Sequence, residues 1–65
     1  MNKKQKFNIG DTVTANIYGK IGIGKVLECE LDSITKLYQY YVAFEFANNC
    51  YSKVWIYEGN LDKIN

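Results

Sequence analysis

The chain predicts an all-β fold, a small barrel of five short strands, on three observations. Residues alternate through Tyr40-Tyr41-Val42-Ala43-Phe44-Glu45-Phe46 and return through Lys53-Val54-Trp55-Ile56-Tyr57, the β-branched and aromatic pattern of two paired strands. Val13, Ala15 and Ile17 alternate against Thr12, Thr14 and Asn16 in the same period of two. Turn-forming clusters, Tyr18-Gly19-Lys20 and Ala47-Asn48-Asn49 among them, separate these runs.

In chain order, the first strand spans residues 11–18, and Val13, Ala15 and Ile17 give it one apolar face. After the Tyr18-Gly19-Lys20 turn, residues 21–30 form a long second strand. Gly22 and Gly24 lie two apart in it, which predicts a bulge or sharp bend, the corner of a barrel. A phosphate-cradling role for Gly22-x-Gly24 would need a helix N-terminus next, and Lys25-Val26-Leu27-Glu28-Cys29-Glu30 offers none. Residues 31–36 are a mostly polar connection in which Asp32 or Ser33 begins one helical turn. The third strand opens near Leu37 and places Tyr38, Tyr40, Val42, Phe44 and Phe46 on one face. Ala47-Asn48-Asn49 is a hairpin loop, and residues 50–57 run back as the fourth strand. Glu58-Gly59-Asn60-Leu61 fits a short 3₁₀ turn before a brief closing strand, Asp62-Lys63-Ile64.

With 65 residues the chain makes one domain, and a domain of this size buries only about 60% of the surface its unfolded chain exposes. A hydrophobic fraction of 48% with 15% aromatics sets it far from disordered chains. Net charge is +1, and all eight basic residues are lysines. No general field draws such a domain onto nucleic acid or an anionic membrane, and no guanidinium is present for bidentate recognition. Lys3, Lys4 and Lys6 make residues 1–6 a basic tail before a barrel over residues 7–65. Phe7-Asn8-Ile9-Gly10-Asp11 follows where a signal peptide would need its apolar segment. Cys29 and Cys50 lack a CxxC spacing and the chain has no histidine, so free thiols in a cytoplasmic protein are expected, with a Cys29–Cys50 bridge left open because the sequence does not show whether the two approach. The lysine-, asparagine- and isoleucine-rich composition without arginine fits a low-GC bacterium or its phage.

The residues also carry a family resemblance. Phe7-x-x-Gly10-Asp11-x-Val13, Gly22-x-Gly24-x-Val26, Tyr41-Val42-x-Phe44 and Val54-Trp55-Ile56-x-x-x-x-Leu61 resemble the SH3-like, Tudor-like small barrels. That resemblance implies a five-stranded SH3-like barrel with a short 3₁₀ turn before the last strand. The closing residues, Val54-Trp55-Ile56-Tyr57 followed by Leu61-Asp62-Lys63-Ile64-Asn65, are similar to the end of the plasmid-encoded type II dihydrofolate reductases. Those enzymes are tetramers in which a glutamine-isoleucine-tyrosine stretch and a lysine line a central pore. Ile56 and Tyr57 match, but Trp55 stands where the glutamine should be and Ala15 where the lysine should be. The glutamine and the lysine of that family's active site are therefore missing here.

Catalysis has little else to use. The acids are Asp11, Glu28, Glu30, Asp32, Glu45, Glu58 and Asp62, and their spacing names no acid/base pair. No metal site, catalytic residue or cofactor is expected. The aromatics offer a different chemistry. With Val54 and Ile56 inward, Lys53, Trp55 and Tyr57 point outward, as does Tyr41 on the third strand; Tyr18 lies at the first turn as a peripheral member. Trp55, Tyr57, Tyr41 and Tyr18 are thus the candidate binding residues. A cluster of this kind stacks on a base, cages a methylated ammonium or anchors a protein. The same rings also serve to cover barrel ends or to pack against a second copy. The expectation is a non-enzymatic protein-interaction module that engages a protein partner or itself and no membrane. The alternatives are a single-stranded nucleic-acid binder, weak and salt-dependent because Lys20, Lys25 and Lys53 are scattered, or a type II reductase-like protein.

Overall fold

The computed structural model describes residues 5–46 and 49–64. Among these, five strands form in order: β1 (Thr12–Ile17), β2 (Lys20–Leu31), β3 (Tyr38–Phe46), β4 (Cys50–Tyr57) and, after a 3₁₀ turn at Glu58–Asn60, β5 (Asp62–Lys63). All pair antiparallel in one sheet of order β4-β3-β2-β1-β5, so β4 and β5 are its two edges. The strands and the 3₁₀ turn fall where the alternation places them. Lys3 and Lys4 of the expected tail, and residues 47–48 of the expected hairpin loop, lie outside the described residues.

The β1–β2 connection is a two-residue hairpin, because Ile17 pairs with Lys20 across Tyr18 and Gly19. Both loop residues have positive φ, 51° and 82°, the primed turn whose twist matches the strands it joins. Gly19 adopts this region without penalty; Tyr18 does so against the clash of its Cβ.

β2 holds the sheet together by pairing with β1 along Lys20–Lys25 and with β3 from Ile23 to Leu31. Its register breaks between Val26 and Glu28, where Leu27 is the extra residue. The bulge expected at Gly22 and Gly24 is therefore displaced to Leu27. The glycines answer a different need: they point inward, where a Cβ on Gly22 would strike the Phe46 ring and one on Gly24 the Ala43 carbonyl. They let β2 lie close beneath β3.

One apolar cluster lies on the inner face: Val13 and Ala15 from β1, Val26 from β2, Tyr40, Val42 and Phe44 from β3, with Phe7 and Leu61 supplied by the segments before β1 and β5. The turn ahead of β1 explains why Phe7 can reach it. Gly10 has φ 96°, its N–H donates to the Val26 carbonyl at 2.8 Å, and Asp11 accepts from the Asn8 N–H at 2.9 Å. The chain thus doubles back and drops Phe7 edge-on to the Tyr40 ring, with centroids 5.3 Å apart.

A polar clasp secures the same end. The Tyr40 hydroxyl donates to Glu58 Oε2 at 2.6 Å and accepts from the N–H groups of Lys6 and Phe7 at 3.1 and 3.2 Å. Lys6 N–H also donates to Glu58 Oε2 at 2.8 Å. Burial, reinforced by the Glu58 carboxylate, pushes the Tyr40 phenol far above its usual range. Between β2 and β3, Asp32 caps the expected turn, its Oδ1 accepting from Ile34 N–H at 2.9 Å.

Candidate interaction surface

Pairing registers place the outward side chains in cross-strand rows. Trp55 of β4 lies opposite Tyr41 of β3, and Tyr41 lies opposite Glu28 of β2. The Tyr41 and Trp55 rings sit 5.2 Å apart between centroids at 35° to each other, within the range of a favourable offset pair. Trp55 remains 44% exposed and Leu27, the bulged residue beside the row, 39% exposed.

The neighbouring rows differ in chemistry. One step towards the β3–β4 loop come Lys53, Ala43 and Lys25, and beyond them Tyr51, Glu45 and Ile23. One step the other way come Tyr57, Gln39 and Glu30. Tyr57 is 38% exposed, and its hydroxyl donates to Asp32 Oδ2 at 3.0 Å. That bond raises the Tyr57 phenol. The Asp32 carboxyl is held below the usual carboxylate range, first by the Ile34 N–H and then by the Tyr57 hydroxyl. The outer face thus sets the aromatic row, with Glu28 at its β2 end, between the acids Glu30 and Asp32 on one side and a lysine row at Lys25 and Lys53 on the other, with Glu45 beyond the lysines.

Three of the four candidate residues, Trp55, Tyr57 and Tyr41, therefore share one face. Tyr18 does not join them. It is fully exposed at the β1–β2 turn and borders a separate cleft of about 600 Å³, with Ile17 and Ile21 on its side and Phe46, Cys50 and Val54 opposite. Strand alternation alone does not reveal Glu28 as a member of the aromatic face. Counting by twos from the inward Gly22, Gly24 and Val26 sends Glu28 inward, and only the bulge reverses it.

Neither cysteine is in a disulfide. Cys29 pairs opposite Tyr40 and Cys50 opposite Phe46, a separation of about 20 Å along β3 that no bridge spans. Burial raises the Cys29 thiol, away from the thiolate a nucleophile requires. Among the described residues, no group of three or more Cys, Asp or Glu side chains converges to hold a metal ion, and no helix is long and apolar enough to cross a membrane. No protein-family model, curated protein or solved structure matches the chain.

Proposed function

We propose that this chain is a non-enzymatic protein-interaction module, an SH3-like barrel whose outer face anchors a protein partner through Trp55, with Tyr41 and Tyr57 beside it. The observation that carries this reading is the Tyr41–Trp55 pair. Two large rings stand in contact on the face opposite the core, with nearly half of the indole in water. Each ring already holds its neighbour in place, so a partner that covers them gains apolar burial while ordering little else. The SH3-like part rests on β1 lying between β2 and β5, a long β2 shared by two ladders, and the 3₁₀ turn directly before the last strand.

A second reading, single-stranded nucleic-acid binding, draws on the lysine row beside Trp55, since a base stacks on an indole while ammonium groups meet its phosphates. Glu28 and Glu30 on the same face oppose it. Oligonucleotide titration at low salt separates the two, because absence of binding there disposes of the nucleic-acid reading.

The test of the main reading is Trp55→Ala. Because the indole belongs to the outer face, the variant stays folded, its stability lowered only by the lost Tyr41 ring contact, about 1 kcal/mol, and it loses association by about tenfold or more. An unfolded variant would make Trp55 a core residue and end the surface reading.

A further inference from the structure

We infer that the partner fitting this face is a second copy of the chain, packed sheet against sheet about a two-fold axis that crosses the strands between the Ala43 and Tyr41 rows. The inference rests on the interaction-module reading and names its partner. A two-fold interface must be complementary to itself, each residue meeting its counterpart in reciprocal contacts. The outer face of β4, β3 and β2 meets that condition in a register that pairs opposite charges and covers both aromatic rings. Rows on one face of a sheet lie about 6.7 Å apart and packed sheets about 10 Å apart. An axis midway between the two central rows therefore lays each of them over the other row of the partner.

Lys53 then faces the partner's Trp55, an ammonium over the best cation-binding ring. Ala43 faces the partner's Tyr41, so the small residue leaves the space the phenol fills. Lys25 faces the partner's Glu28 as an ion pair, and the same three contacts recur in reverse. One row further out, Tyr51 meets the partner's Tyr57 and Glu45 meets the partner's Gln39.

Three neighbouring placements of the axis fail on charge. Centred on the Ala43 row, it sets Lys25 and Lys53 against their own copies. Centred on the Tyr41 row, it sets Glu28 against the partner's Glu28. Turned parallel to the strands and run along β3, it lays Lys53 over the partner's Lys25. The register chosen is the one that alternates positive, aromatic and negative groups across the gap.

Three strands and four rows span about 15 by 27 Å, which places the interface at the small end of specific contacts. A dissociation constant in the range of about 10–100 μM is expected. Sedimentation of the purified wild-type chain from about 1 μM to about 1 mM reads it directly. The expected result is a reversible monomer–dimer equilibrium. Lys25→Glu and Glu28→Lys, both at exposed positions, each turn two attractive contacts into like-charge pairs and weaken the dimer about tenfold or more. An equimolar mixture of the two variants restores it, because Glu at position 25 of one copy then meets Lys at position 28 of the other.

A wild-type chain that stays monomeric overturns the second copy as partner and leaves the module reading to Trp55 emission and quenching, which still report whether the indole is open to water. A dimer lost in Trp55→Ala but not restored by mixing overturns the register and keeps the aromatic face. A dimer untouched by Trp55→Ala overturns both.

Discussion

Replacing Gly24 with alanine inserts one methyl group where β2 lies tight against β3. An ideal Cβ there lies 2.4 Å from the Ala43 carbonyl oxygen, 2.9 Å from the Ala43 carbonyl carbon and 2.9 Å from Val42 Cγ1. Two of these atoms belong to the backbone of β3, so no rotamer change relieves the clash. The strands must separate by about 1 Å, and the ladder that pairs Gly24 with both Val13 and Phe44 is strained on two sides. Overpacking of this kind costs about 3 kcal/mol, and the lower chain entropy of alanine in the unfolded state returns about 0.5 kcal/mol. A domain of this length has a total stability of about 3–10 kcal/mol, so the change removes a large fraction of it. Urea unfolding followed by Trp55 emission reads the loss as a midpoint lower by about 2.5 M at a slope near 1 kcal/mol/M. Gly22→Ala meets the Phe46 and Phe44 rings, at 2.7 Å and 3.1 Å, and ring rotation limits its cost to about 1 kcal/mol. Gly59→Ala meets nothing within 4 Å and serves as the control. A Gly24→Ala midpoint equal to that of Gly59→Ala would refute the close approach of β2 to β3.

Tyr40→Phe deletes the hydroxyl that joins Lys6, Phe7 and Glu58 and leaves the Phe7 N–H buried without its acceptor; a loss of about 1–3 kcal/mol in urea unfolding is expected. Because the folded-state Tyr40 phenol is raised by burial and by Glu58, its contribution is complete below the unfolded value of about 10 and is lost as pH climbs above it. Tyr40→Phe therefore removes that part of the alkaline destabilisation, and an unchanged alkaline profile would contradict the clasp. Tyr18→Asn places a residue tolerant of positive φ in the β1–β2 turn and raises stability by about 1 kcal/mol by thermal unfolding. No gain would mean that the Tyr18 ring compensates for its backbone strain at the cleft.

The fold was legible where a strand buries one face and wets the other. Val13 and Ala15 in β1, and Tyr40, Val42 and Phe44 in β3, declare their inward positions by alternation alone, and their burial follows it. Gly22 and Gly24 were legible as special positions but not as close approaches, since a glycine that permits a bulge and one that admits a neighbouring strand look alike until the partner strand is in place. The same holds for the functional face. Trp55, Tyr57 and Tyr41 follow from period two, whereas Glu28 depends on the single extra residue, Leu27, which reverses the phase of β2. Tyr18 sits near Trp55 in no sequence pattern; its turn carries it to the separate cleft. The Tyr40–Glu58 clasp joins residues 18 apart in the chain, and nothing local in either one specifies the contact.

Trp55 is the only tryptophan, so its emission and its quenching by a neutral solute report on the outer face alone. An exposed docking face predicts red-shifted, quenchable emission in dilute protein that turns blue-shifted and protected as the face is covered at higher concentration. Emission that is already blue and shielded at the lowest concentration, in a chain that is monomeric there, would place the indole inside the fold and contradict the interaction surface.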